Sequence, residues 1–238
     1  MTWRAALPLL VMLAAPAAAE TVTAAQYETP TARYGHGALA NGEWADMVLQ
    51  LSSGEERRIS LPEELVFEDT APRLVDLTAD GVVEVVAVES HRDLGSRLVV
   101  WGPEGRIAAT EFIGMAHRWL SPLGAADLDG DGRVEFAYVL RPHLDATLTL
   151  MRLEGDALVQ VATSAGLPNH RYREAVIEGG IAGCAEGAVI LTADLNWRSV
   201  LATRWQGGRL ISQALGPYAG PASFDEAAAA LGCSLTKP

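Results

Sequence analysis

Residues 126–140 read ADLDGDGRVEFAYVL, and they fix the reading of the whole chain. Asp127, Asp129 and Asp131 alternate, Gly132 follows, and Glu135 opens an apolar run. Numbered from Asp127, the acids fall at positions 1, 3, 5 and 9, with Arg133 at position 7. Alternate side chains, one backbone carbonyl and a closing carboxylate can wrap a hard cation, and the glycine permits the sharp turn. Position 12 is Tyr138 rather than the bidentate glutamate of an EF-hand, and VEFAYV is a strand pattern, not a helix. The spacing therefore predicts a calcium loop that runs into a buried strand. Without a cation the carboxylates repel and raise one another's pKa values. Calcium suits a flexible set of oxygens better than magnesium does, and zinc is disfavoured because the loop has no Cys or His.

DLTADGVVE repeats the pattern more weakly, with Asp76, Thr78, Asp80, Gly81 and Glu84 in the same slots. Around both loops lie strand–turn–strand pairs, with turns at Gly54, Gly105, Gly155 and Gly208. Each is an alternating run, a polar glycine turn and a second alternating run. A constant period of about fifty residues marks a repeat architecture. Two further strand-like pieces precede three of the hairpins: PRLVDL and VEVVAVES, LGAADL and VEFAYVL, GGIAG and AVILTADL. In the first unit TVTAAQY and TARYGHGAL fill these slots weakly. Four strands per unit predict an all-β fold: a β-propeller of four blades over residues 20–220, or five if the ends share strands. A β-sandwich does not account for the period, and no unit has the helical periodicity of a solenoid. Residues 221–238 form a tail whose segment FDEAAAALG predicts a short helix ending near Gly232.

The loops DLDGDGRVEFAYV and DLTADGVVEVVAV resemble those of the FG-GAP and VCBS-type repeat proteins, whose blades carry DxDGDG before an apolar strand. The resemblance covers most of residues 72–215. It implies a calcium-stabilised propeller, often exported, used for adhesion or recognition. The fourth unit has AGCAEGAVI at the loop position, and the first lacks the acids too, so calcium is not common to all units.

The chain begins MTWRAALPLLVMLAAPAAAE, a positive residue, a short apolar core and small residues before Glu20. This predicts a signal peptide over residues 1–19 and a periplasmic or secreted protein. No later stretch is long and apolar enough to span a membrane as a helix. A net charge of −12 repels phosphate backbones and argues against nucleic acid as a partner. The two cysteines, Cys184 and Cys233, suggest one disulfide in an exported protein, with two separately buried thiols as the alternative.

A second echo precedes two units: His117-Arg118-Trp119 and His170-Arg171-Tyr172. In the crossovers of a propeller these residues would face away from the acidic loops. Arginine is a planar donor and an aromatic ring a platform, so the six are candidates for an anionic or sugar-like ligand. The plainer expectation is that the aromatic rings wedge between blades and the arginines pair with Glu174 or Glu178. His91-Arg92-Asp93 and His143-Leu144-Asp145 read as exposed turns. No catalytic motif is present. The expected function is recognition of a protein or glycan by a monomeric, non-enzymatic module. The alternative is a hydrolase or lyase with its site at the central channel.

Overall fold

The computed structural model describes residues 19–39 and 42–238, so the expected signal peptide lies outside the described residues but for its last position. Among the described residues the fold is all-β, with one short helix and three antiparallel sheets. The first sheet contains β1 (Val22–Pro30), β2 (Glu43–Leu51), β3 (Glu56–Ser60), β4 (Leu65–Glu68), β5 (Arg73–Val75), β6 (Glu84–His91), β7 (Gly95–Gly102) and β8 (Gly105–Ala109). The second is β9 (Leu120–Ala126), β10 (Glu135–Leu140), β11 (Thr147–Glu154) and β12 (Ala157–Ser164), a simple meander. The third holds β13 (Gly180–Cys184), β14 (Gly187–Ala193), β15 (Ser199–Gln206) and β16 (Arg209–Pro217). After β16 come α1 (Ala222–Ala230) and β17 (Ser234–Thr236), which pairs with the free edge of β13.

All four anticipated hairpins form: β2–β3, β7–β8, β11–β12 and β15–β16. Two features depart from separate four-stranded units. The short β4 pairs with β2 at Glu43 and Trp44 and with β6 at Ser90, so the first two units share one eight-stranded sheet. Residues 31–39, anticipated as a strand, form a loop instead. Its glycines explain this: Gly35 and Gly37 both take positive φ, which breaks an extended run.

Consecutive units stack through alternate faces of their middle strands. On β6, Val85 and Ala87 pack with Met47, Leu49 and Phe67, whereas Val86 and Val88 pack with Trp119, Phe136 and Tyr138. On β10, Phe136 and Tyr138 face the second unit, while Ala137 and Val139 pack with Leu148, Ile181 and Ile190. Burial on both faces is why these strands are continuous apolar runs rather than alternating ones. Each fully buried Val, Leu or Phe contributes about 1.5–3 kcal/mol. Phe224 and Ala228 of α1 cover the outer face of the last unit, and Cys184 is disulfide-bonded to Cys233.

Candidate functional site: a histidine–aromatic pocket

The β9–β10 hairpin carries chemistry at both ends. The acidic loop joins Ala126 to Glu135, while the crossover before Leu120 and the turn after Leu140 lie at the other end. Seven strand residues separate the two by about 20 Å.

At the crossover end, four of the chain's five histidines meet. A cavity of about 320 Å³ is lined by His36, His117, Arg118, Trp119, Arg141, His143 and Tyr172, with Pro142 and Leu144. Trp119 is its floor. The indole is buried and donates its Nε1–H to the backbone carbonyl of Glu68 at 2.8 Å. His143 stacks on it at 6.3 Å between centroids, and His170 meets it edge-on at 5.1 Å. Gly95 allows the crossover this close approach: a Cβ there would lie 2.3 Å from the carbonyl oxygen of Met115. The glycine loop of residues 31–39 closes the other side. His36 stacks parallel on His117 at 5.1 Å, and the Tyr34 hydroxyl accepts the His117 backbone N–H.

Two hydrogen-bond chains fix the imidazoles. His36 Nδ1 lies 2.6 Å from Oε1 of Glu68, whose carboxyl is buried. Oε2 of Glu68 accepts from Ser90, which in turn lies 2.6 Å from the Ser96 hydroxyl. Burial pushes the Glu68 carboxyl up, and the bond from His36 opposes this. On the other side, Nε2 of His170 is 2.9 Å from the carbonyl oxygen of Glu174, which can only accept, so that nitrogen carries a proton. His170 is fully buried, and desolvation lowers its pKa, which favours the neutral ring. Its Nδ1 therefore accepts from His143 Nε2 at 2.9 Å. Desolvation, then the charges of His170 and His36, pull His143 down to about 4, although one side of the residue is open to solvent.

The six anticipated ligand residues divide. His117, Arg118, Trp119 and Tyr172 line the pocket, and His170 stands behind it. Arg171 belongs elsewhere: it bonds Glu178 at 3.0 Å and lies over Trp197 and Tyr218, lining an adjoining depression. Trp119 is a packing residue as well as a pocket wall. His143, read as an exposed turn residue, is both exposed and part of the cluster. His91, its counterpart, packs on Phe112 away from the pocket. His36 and Tyr34 were missed because residues 31–39 read as a strand, and Glu68 because the short β4 that carries it has no clear pattern of its own. The glycine-flanked histidine in YGHGAL was the available signal.

At the other end of the hairpin, Asp127, Asp129 and Glu135 each place one oxygen within 4.8 Å of the others. Asp127 also accepts backbone N–H bonds from Gly130 and Gly132, at 2.7 and 2.9 Å. This oxygen-only set fits a hard cation. A protein cation already serves it: Arg152, buried across the strand pair, bonds Glu135 and lies 3.2 Å from Asp131 and 3.6 Å from Asp129. Arg133 also pairs with Asp131, at 2.9 Å. In the weaker loop, Asp76 accepts from Asp80 and Gly81 N–H, and Glu84 from Leu77 N–H. Thr78 and Asp80 are exposed, and these side chains are not gathered as the Asp127 group is.

No family model matches the chain, and no curated protein matches it. Among the described residues no helix is long and apolar enough to cross a membrane.

Proposed function

We propose that the chain is an exported four-bladed β-propeller of the FG-GAP and VCBS kind that recognises an anionic glycan, or an acidic group on a protein, through the histidine–aromatic pocket. Convergence carries this reading. Segments 34–36, 117–119, 141–144 and 170–172 are far apart in sequence, yet they bring Arg118, Arg141, two histidine pairs and the half-exposed Tyr172 to one cavity. In a protein of net charge −12 this is an unusual place for cations. Arginine forks match carboxylates, and Tyr172 offers a face on which a sugar ring can lie.

The propeller reading is supported by the four hairpins at matching intervals and by the serial stacking of their sheets. The disulfide suits an oxidising compartment such as the periplasm. Asp127, Asp129 and Glu135 would hold calcium, with Asp131 and the Arg133 carbonyl as further oxygens; the bound ion would cancel their repulsion.

Calorimetry with uronic-acid oligosaccharides tests the recognition reading. The wild type binds, Arg118→Ala and Tyr172→Ala weaken binding at least about tenfold each without changing the melting curve, and neutral glucans do not bind. Equal binding by the variants, or none to any acidic glycan or acidic peptide, would overturn it.

One observation favours a hydrolase or lyase as the second reading. The buried Glu68 holds Nδ1 of His36, which leaves Nε2 as the ring's free nitrogen on a residue that lines the cavity, the arrangement a general base would use. Turnover of a bound acidic oligosaccharide, abolished in His36→Gln with binding retained, would select that reading; absence of product would leave recognition alone.

A further inference from the structure

The histidine–aromatic pocket and the depression beside it share a wall: Pro142, His143, Leu144 and Tyr172 line both. Arg118 and Trp119 line only the pocket, whereas Arg171 and Trp197 line only the depression, which holds about 210 Å³. The two are built from equivalent parts of successive units. The crossover His117-Arg118-Trp119 and the turn carrying Leu144 form the first; the crossover His170-Arg171-Tyr172 and the turn carrying Leu195 form the second. A repeated fold thus repeats its binding surface. Successive sheets pack about 10 Å apart, so one carboxylate does not serve both arginines.

The second depression is organised for a ligand in its own right. One nitrogen of Arg171 donates to the buried Glu178, which also accepts the Tyr218 hydroxyl at 2.7 Å. The guanidinium lies over Trp197 and Tyr218, while its Nε and Nη1 bond no described residue. The fork is therefore fixed in place with donors to spare. Trp197 takes φ of +53°, as His117 and Arg141 take +54° and +50° in the pocket. Such conformations are disfavoured for bulky side chains and concentrate at ligand clamps. Leu144 and Tyr172 on the shared wall, and Leu195 beyond it, are each more than half exposed.

Resting on the recognition reading above, we propose that pocket and depression are consecutive subsites of one groove for a linear acidic glycan. One acidic group meets Arg118, a later one meets Arg171, and the sugars between them cross the wall formed by Leu144 and Tyr172. The apolar faces of sugar rings suit that exposed apolar rim. A peptide held through its main chain would need a free strand edge, and the groove is walled by turns and crossovers instead. The ligand is thus a polymer with at least two acidic units, matched by two units of the fold.

NMR titration of the full chain with galacturonate oligosaccharides of one, two and four sugars tests this. Affinity rises at least about tenfold from the monosaccharide to the tetrasaccharide. Trp197→Ala removes that rise, and so does Leu195→Asp, which sets a negative charge in the second depression at a position exposed enough to leave folding intact. In both variants the monosaccharide affinity read at the Trp119 indole signal stays as in the wild type. Arg118→Ala weakens binding at every length. Monosaccharide binding with no gain from length, or a gain that both Trp197→Ala and Leu195→Asp keep, overturns the groove and leaves the recognition reading standing. Absence of binding at every length overturns both. A hexapeptide of glutamates that binds as tightly as the tetrasaccharide, with the same loss in Leu195→Asp, overturns the assignment to a glycan.

Discussion

Glu68 organises the pocket from beneath with two of its groups. Its carboxylate holds His36 and accepts from Ser90, and its carbonyl holds the indole of Trp119. Removing the carboxylate strands buried donors, each costing about 1–3 kcal/mol. Glu68→Ala is therefore expected to lower unfolding stability in urea by at least that much, and Glu68→Gln by less, since an amide oxygen can still accept. Equal stability of Glu68→Ala and wild type would remove Glu68 from this role. His143 contributes one component of the pH dependence. Its folded pKa lies below its unfolded value, so between about 6.5 and 4 the unfolded chain binds a proton that the folded chain refuses. The stability from this group is complete above pH 6.5 and declines as pH falls toward 4. His143→Asn should flatten that part of the pH–stability curve, with the effect reduced by the residue's exposure. The sequence disclosed part of this scale. The repeated His-Arg-aromatic triplets pointed to four residues that line the pocket, but a tautomer chain through a backbone carbonyl leaves no trace in spacing. The pairing of Glu68 with His36 depends on β4 bridging two sheets, which local patterns do not reveal.

The hairpin elements were legible because their period-2 alternation and glycine turns are local properties. Residues 31–39 were not, because a short apolar segment with three polar residues fits strand and loop alike. At the acidic loop, sequence gave the carboxylates and the structure added their competitor. Arg152 lies opposite Glu135 on β11, a cross-strand pairing set by register rather than by proximity in sequence. A buried ion pair that loses one partner is expected to destabilise by about 3–5 kcal/mol. Arg152→Met should therefore be destabilised by that order in chelator. Added calcium should restore most of the loss, because the ion then supplies the missing positive charge. The wild type should gain less from calcium than the variant does. If Arg152→Met melts identically with calcium and with chelator, the loop is a structural acidic turn neutralised by arginine alone.

Across the whole molecule, stability is distributed over sheets stacked in series, and the chain's end is tied back onto that stack. The Cys184–Cys233 bond joins the β13–β14 turn to the segment after α1, and β17 adds to the β13 edge beside it. Closing a loop with a sequence separation of 49 should contribute roughly 4 kcal/mol by restricting the unfolded chain. Reduction, or Cys184→Ser/Cys233→Ser, should lower the denaturation midpoint accordingly and expose β17 amides to hydrogen exchange before those of β10. Unchanged exchange at β17 would mean that pairing, not the disulfide, holds the tail. The all-β class and the disulfide were readable from composition, period and cysteine count. The joining of the first two units into one sheet was not, since it rests on a few residue pairs made by the four-residue β4.

Nitrogen-detected imidazole NMR on the metal-free protein reads directly whether four histidines distant in sequence meet at this pocket in these tautomers. It should find His170 and His143 protonated at Nε2, and contacts between the rings of His36 and His117. His143 should remain neutral until the pH approaches 4. A His143 that titrates near the ordinary histidine value of about 6.5 with freely exchanging tautomers, and no contact between His36 and His117, would contradict the pocket itself.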